Sequence, residues 1–432
     1  MCWFTLRRTR YSKGVLSGLI ASKYDPDVER RVESIIRDVK ERGDEALLEY
    51  LREFHGLNGE GIIVDEDEVL RAYDRVPPGV IRALEDLMDR VYTVSKSLVP
   101  PSVDVETAEG VKVSVKWMPV GSAGLYAPGG RASYPSSVIM AGAAAKAAGV
   151  GKLYLSSPPR GREVDPGILV AADIVGVRRV YRLGGAYAAA AMALGTETVE
   201  RVDLIAGPGG IWFTVAKKLL YGVTGIDFLA GPTELFILAD GSVDASWLAW
   251  DIAAQAEHSP DTLVILASPN AGYLDEVLDR LERVVASTPT GEVVRSSLES
   301  NGLVLDLDSM DDGVNAVNEA APEHLYLAVS GGEDLLPRIR NAGSISIGAY
   351  TPPALTDYST GANHILPTMG WARFRGGLTP LDFLKAVYIN TASKDGFFNI
   401  CRGAVELGFY EGLYSHARSI IERGCRRGNR EG

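Results

Sequence analysis

A chain of 432 residues is long enough for two or three domains with sizeable cores, and 46% apolar with 23% charged residues is the balance of an ordinary globular protein. A formal net charge of −12 argues against a nucleic-acid or anionic-membrane partner, and no stretch approaches the roughly 20 apolar residues of a membrane span. Cys2, Cys401 and Cys425 form neither a C-x-x-C pair nor an even framework, and they read as reduced thiols of a cytoplasmic protein.

Residues 1–23 form an N-terminal arm in which Arg7, Arg8 and Arg10 precede Gly14-Val-Leu-Ser-Gly-Leu-Ile-Ala21. That run is too short and too interrupted for a signal peptide, and it reads as ordered. From 25 to 98 apolar residues recur near a period of 3.6, which predicts charged amphipathic helices broken at Pro77-Pro78. His55, in Phe54-His-Gly, falls at one helix end and reads as a surface residue.

From Val111 the texture changes to short β-branched runs, glycine turns and alanine-rich helices. Residues 111–117 alternate as a strand, and Gly124-Leu-Tyr-Ala-Pro-Gly-Gly130 is a strand entering a turn. Helices are predicted over 135–148, 167–176 and 186–194, with strands at 152–155 and 180–183 between them. Such alternation implies a parallel sheet covered by helices. Gly207-Pro-Gly-Gly210 is a second glycine turn, and it opens a helix over 212–220. Either turn can offer a helix N-terminus to a phosphate, but neither has the full G-x-G-x-x-G fingerprint, and taken alone both read better as ordinary β–α turns.

The alternation resumes past Asp240. A helix with Asp244 as its N-cap closes at Gln255-Ala-Glu-His258, then a strand over 262–266 leads to Ala267-Ser-Pro. The earlier strand at 153–155 also runs into Ser156-Ser-Pro158, which suggests two α/β domains from one ancestor. Beyond Pro380 the pattern predicts helix down to a polar tail at Cys425-Arg-Arg-Gly-Asn-Arg.

Only five histidines occur, and each follows an acid within a few residues: His55, His258, His324, His364 and His416. Gln255 and His258 are three apart, so both project from one helix face as possible metal ligands or as an ordinary bonded pair. Glu323-His324, after Pro322, is an adjacent carboxylate and imidazole on a loop, which can face one cavity as two bases but on its own reads first as a loop pair without a partner. Asp357-Tyr-Ser-Thr-Gly-Ala-Asn-His364 has the composition of a binding loop or of a surface loop. Glu411-Gly-Leu-Tyr-Ser-His416 lies far along, in the tail.

With these stretches go Ala230-Gly-Pro-Thr-Glu, Ala321-Pro-Glu-His-Leu, Asn341-Ala-Gly-Ser and Asn363-His-Ile-Leu-Pro, and together, in this order, they resemble the histidinol dehydrogenase family over nearly the whole chain. The resemblance implies two incomplete Rossmann-like α/β domains with a helical N-terminal region and a helical C-terminal tail. The larger domain takes 24–123 and 234–378, the insertion 125–233 binds NAD, and the tail 379–432 reaches the other subunit of a homodimer. Carried across, the family's zinc ligands fall on Gln255, His258, Asp357 and His416, and its catalytic pair on Glu323 and His324. Substrate contacts fall on Thr233, His364 and Glu411, joined by the four zinc ligands and His324. Thr233 stands where the family usually has serine. The implied reaction oxidises histidinol twice, through the aldehyde, to histidine at the close of its biosynthesis.

Two departures lie where the family binds NAD. Gly184-Gly-Ala-Tyr187 and Gly207-Pro-Gly-Gly210 replace an amide side chain each, so Tyr126 alone keeps its identity and the choice of NAD over NADP stays open. The ring of Tyr187 offers stacking in place of the amide. Rival readings are a zinc dehydrogenase of another amino or hydroxy alcohol, a zinc hydrolase using Glu323, and a catalytically silent zinc dimer.

Overall fold

The computed structural model describes residues 6–16, 25–57, 61–129 and 133–426. Cys2, Gly130, most of the arm's apolar run and the last residues of the polar tail lie outside that set. The chain divides into two compact units, Met1–Leu98 with Val120–Phe383, and Val99–Pro119 with Leu384–Gly432. No helix among the described residues is long and apolar enough to cross a membrane.

Strand β1 (Arg7–Arg10) is the described part of the N-terminal arm, and β2 (Val103–Ala108) with β3 (Val111–Pro119) belongs to the second unit. Then follow β4 (Ala123–Tyr126), β5 (Leu153–Ser156), β6 (Arg179–Tyr181), β7 (Leu204–Ala206) and β8 (Gly225–Ile226). The next group is β9 (Glu234–Ala239), β10 (Leu263–Ser268), β11 (Gly302–Asp306), β12 (His324–Ala328) and β13 (Ser344–Ile347). The last strand is β14 (Leu384–Ala392).

In the first unit the helices Pro26–Arg42 and Asp44–His55 bury Val32, Val39, Ala46, Leu47 and Leu51 in one core with the helices Gly185–Leu194 and Ile211–Leu220. That core packs on the first of two parallel sheets, ordered β6-β5-β4-β7-β8, and the second, ordered β1-β11-β10-β9-β12-β13, has cores of its own. Helices cover both faces, so the strands read as continuous apolar runs; β9, Glu-Leu-Phe-Ile-Leu-Ala, is buried at every position. Apart from the edge strand β1, both sheets have the order 3-2-1-4-5 when their strands are numbered along the chain. The repeated Ser-Pro follows the second strand of each, which gives the sequence echo a structural counterpart.

The second unit corrects two expectations. Residues past 380 are not all helical, because Leu384–Ala392 is a strand paired antiparallel with β3, Ala392 facing Val111. Its side chains are nearly all exposed, so no buried alternation marks it. The chain then forms the helices Lys394–Tyr410 and Tyr414–Ile421, folded as a hairpin.

The thiols of Cys401 and Cys425 are not reduced: they form a disulfide, with Cα atoms 6.1 Å apart. Folding the hairpin back brings together residues that 24 positions of sequence separate. The bond sits in a very small core, with Val405 and Ala417 as the other buried members. Closing a loop of that size is worth about 3–4 kcal/mol by chain entropy. Reductant, or Cys401→Ser, is therefore expected to lower the thermal unfolding midpoint followed by circular dichroism; an unchanged midpoint contradicts a stabilising role.

Candidate active site

The helix Met310–Ala320 ends at Ala321, which takes a left-handed conformation (φ 49°) and turns the chain into Pro322-Glu-His. A non-glycine residue held there costs on the order of 1–3 kcal/mol. The turn delivers Glu323 and His324 to the N-terminal end of β12, both buried. Glu323 Oε2 accepts from the Glu234 amide at 2.8 Å and from the Thr233 hydroxyl, while the Glu323 amide donates to Glu234 Oε2 at 3.3 Å. Two carboxylates thus clamp each other's backbone where β9 and β12 begin. Glu234 Oε1 also accepts from the Met369 amide at 2.6 Å.

Burial pushes the Glu323 carboxyl well above its ordinary value, against the hydrogen bonds that favour its anion. Burial likewise raises Glu234 to about 7 and Asp357 to about 7. His324 is lowered to about 3, chiefly by burial with His364 and His258 adding to it, so its imidazole stays neutral. Its Nε2 lies 3.9 Å from Asp357 Oδ1. His364, lowered to about 4 by burial, directs Nδ1 to the Asp357 carbonyl at 3.0 Å and Nε2 to the Ser137 hydroxyl at 3.3 Å.

Asp244 caps the helix Ala245–Ala256 as expected, but that helix ends two residues before His258. His258 is placed instead by folding back, its Nδ1 3.0 Å from the Gln255 carbonyl. The Gln255 amide nitrogen donates to Thr233 Oγ1 at 2.6 Å, and the Thr233 hydroxyl in turn donates a hydrogen bond to Glu323 Oε2. Thr233 is therefore a bridge between a proposed metal ligand and a proposed base.

In the five-stranded sheet β4 has β5 on one side and β7 on the other, so the strand order reverses between β4 and β7. Crevices at such a switch point, outside the carboxyl ends of the strands, are where open α/β sheets hold ligands. Here the crevice is edged by Pro128 and by Pro208, Gly209 and Gly210. Tyr126 is buried, stacked on Phe213 with centroids 3.7 Å apart, and its hydroxyl accepts from the Gly185 amide at 3.0 Å. Tyr187 is also buried, against Tyr50 and Phe54, with its hydroxyl 3.0 Å from His55 Nε2. Its stacking partners belong to the chain itself, and half-buried His55 is part of that packing and not a plain surface residue. A Cβ on Gly207 (φ 124°) would meet the Tyr126 carbonyl oxygen at 2.3 Å. Gly207→Ala is expected to destabilise the fold by about 1–3 kcal/mol and to displace the turn; a midpoint equal to wild type contradicts this.

These parts surround a cavity of about 310 Å³. The five-stranded sheet presents the carboxyl ends of β4 and β7 to it, and the six-stranded sheet the amino ends of β9 and β12. Thr233, His258, Glu323, His324, Asp357 and His364 line it, with Gln255 buried behind Thr233. Glu411 and His416 belong to the second unit, where both are exposed, Glu411 at the bend of its helical hairpin and His416 in the first turn of the second helix. Ser137, Tyr134 and Tyr358 also line the cavity; Tyr358 falls in the Asp357–His364 stretch, whereas Tyr134 and Ser137 carry no sequence signal beyond the helix start at Pro135-Ser-Ser. Glu234 was legible only as the last letter of Ala-Gly-Pro-Thr-Glu.

Among the described residues no three His, Cys, Asp or Glu side chains converge on one point as a metal set. The first unit nonetheless supplies a partial set. Asp357 Oδ1 is buried without a hydrogen-bond partner. The Nδ1 contact of His258 leaves Nε2 as its other coordinating atom, and the Gln255 amide keeps its carbonyl oxygen after donating through nitrogen. One imidazole, one carboxylate and one amide oxygen form a thiolate-free donor set suited to zinc and short of one ligand.

The histidinol dehydrogenase family model matches residues 21–424. The chain is 40% identical over 399 residues to histidinol dehydrogenase of Zymomonas mobilis, covering 92% of this chain and 93% of that one. With the Methylococcus capsulatus protein of the same name it shares 42% identity over 403 residues, 92% of each. The crystal structure of histidinol dehydrogenase from Elizabethkingia anophelis superimposes with a TM-score of 0.92 at 30% identity, over 97% of this chain and 98% of that one.

Proposed function

We propose the oxidation of histidinol to histidine, with NAD and zinc, for this chain, which belongs to the histidinol dehydrogenase family. The observation that carries the reading is the buried Glu323–His324 pair, facing a cavity whose opposite edge is the Gly207–Gly210 turn at a sheet switch point. On this reading 125–233 is the cofactor-binding insertion, and 24–123 with 234–378 carries the chemistry. The tail, 379–432, completes the site of a second copy in a homodimer. Tyr410, Leu413 and Tyr414 expose apolar surface around Glu411 and His416, as an interface would. A biosynthetic role of this kind belongs to the cytoplasm.

His324, kept neutral by burial, removes the hydroxyl proton of histidinol in the first oxidation. The turns at Gly184–Tyr187 and Gly207–Gly210 would hold NAD, which would supply the hydride acceptor for two successive two-electron oxidations of the alcohol carbon, through the aldehyde, to the carboxylate. Glu323, held as an acceptor by Thr233 and the Glu234 amide, takes a proton from the water that adds to the aldehyde. His364 and Thr233, with Glu411 of the partner subunit, bind the substrate. Gln255, His258, Asp357 and His416 of the partner subunit would hold zinc, which supplies a Lewis acid to orient the substrate's imidazole and amine. Enclosure of the aldehyde protects it from side reactions.

Chelator treatment followed by dialysis is expected to abolish histidinol oxidation, and added zinc to restore it with about one zinc per subunit. Full activity in metal-stripped protein contradicts the zinc assignment.

A further inference from the structure

We propose that the buried pair Lys217–Asp227 is the positioning device of the cofactor turn, setting affinity for the nicotinamide dinucleotide through Gly207. The inference rests on the reading that the cofactor binds against the Gly207–Gly210 turn.

Lys217 sits in the helix Ile211–Leu220, and Asp227 directly follows β8. Both side chains are 1% exposed, with Lys217 Nζ 2.6 Å from Asp227 Oδ1. The pair grips one residue, Gly207, through the two peptide units that flank its Cα. Lys217 Nζ donates to the Gly207 carbonyl at 3.0 Å, and Asp227 Oδ2 accepts from the Gly207 amide at 2.8 Å. Asp227 Oδ1 also accepts from the Phe228 amide at 2.6 Å. One helical turn nearer the cavity, the Thr214 hydroxyl bridges the carbonyls of Ala230, at 2.9 Å, and Gly209, at 3.3 Å.

A buried ion pair is poor evidence for stability, because well-packed apolar residues of similar volume do as well or better. What apolar residues do not supply is a donor and an acceptor aimed at a glycine in a left-handed conformation against the Tyr126 backbone. Gly210, next along, is the N-cap of the helix and has no side-chain cap. Its amide and its neighbours' amides therefore take their direction from how Gly207 is held. Since Asp227 also anchors Phe228, the pair ties this turn to the segment leading into Thr233. Neither side chain lines the cavity. They act through the turn.

The test compares wild type, Asp227→Asn and the charge-neutral double variant Lys217→Met/Asp227→Asn as full-length holoenzyme. NAD dissociation constants come from calorimetry, with the KM for NAD and for histidinol measured alongside thermal midpoints. The expected result is an NAD dissociation constant and KM raised about tenfold or more, with the histidinol KM within about twofold of wild type. An unchanged NAD affinity in a folded variant overturns the inference. So does an equal rise in both KM values, which would make the pair a general structural element. If the double variant does not fold, Asp227→Asn decides on the same criteria. Wild-type protein that neither binds nor reduces NAD removes the underlying reading, and the inference with it.

Discussion

His324→Ala is expected to slow histidinol oxidation by about 10²- to 10⁴-fold, the range a positioned general base contributes. The loss should appear in the first hydride transfer of a single-turnover experiment, because the proposed mechanism makes His324, kept neutral by burial, the base of that step. Glu323→Gln should behave differently. With histidinol it should still release a first equivalent of reduced cofactor, and with the aldehyde supplied directly it should be slowed by a similar factor. The substitution also has a structural side. Glu323 Oε2 accepts from both the Thr233 hydroxyl and the Glu234 amide, so the glutamine must place its carbonyl there and not its amide nitrogen. A thermal midpoint measured in parallel separates that misplacement from lost chemistry. Equal loss of both steps in each variant contradicts the division of labour.

Mixing Glu323→Gln and His416→Ala dimers is expected to recover activity that neither has alone. Glu323 belongs to the first unit and His416 to the second, exposed in the first turn of its second helix. If each site takes its body from one subunit and its tail from the other, a hybrid dimer holds one wild-type site and one doubly altered site. Random exchange makes half the dimers hybrid, so about one quarter of wild-type activity returns. No recovery, with exchange confirmed by mass spectrometry, contradicts the shared site. Recovery that vanishes with Glu411→Ala in place of intact Glu411 on the donor tail would extend the sharing to that residue.

The sequence reading reached some levels of this structure and not others, for physical reasons. Alternation of short apolar runs with alanine-rich helices marks parallel strands buried on both faces, which makes β4, β5, β6 and β10 legible, whereas β12, which opens at His324, reads as loop. Asp244 announced its helix, and Gly207 its turn, because capping and positive φ are local demands. Residues Glu323, His324, Asp357 and His364 were visible as acid–imidazole neighbours, and the fold brings them to one cavity. Strand β14 was invisible because its partner β3 lies more than 250 positions earlier and neither face of β14 is buried. The Cys401–Cys425 bond needed the hairpin, and the three cysteines offered no spacing to suggest it. Lys217 and Asp227 sit in no motif or spacing that singles them out, and only the fold seals them against Gly207. His258 shows the limit of periodicity: its spacing to Gln255 predicts one helix face, and it reaches the cavity by leaving that helix.

The most direct test of the central claim is the amount of reduced nicotinamide formed when zinc-loaded protein consumes a limiting quantity of histidinol. Two equivalents of reduced NAD per histidinol, with histidine as the product, are what a four-electron dehydrogenase must give. One equivalent with free aldehyde, or none with either NAD or NADP, would contradict the account.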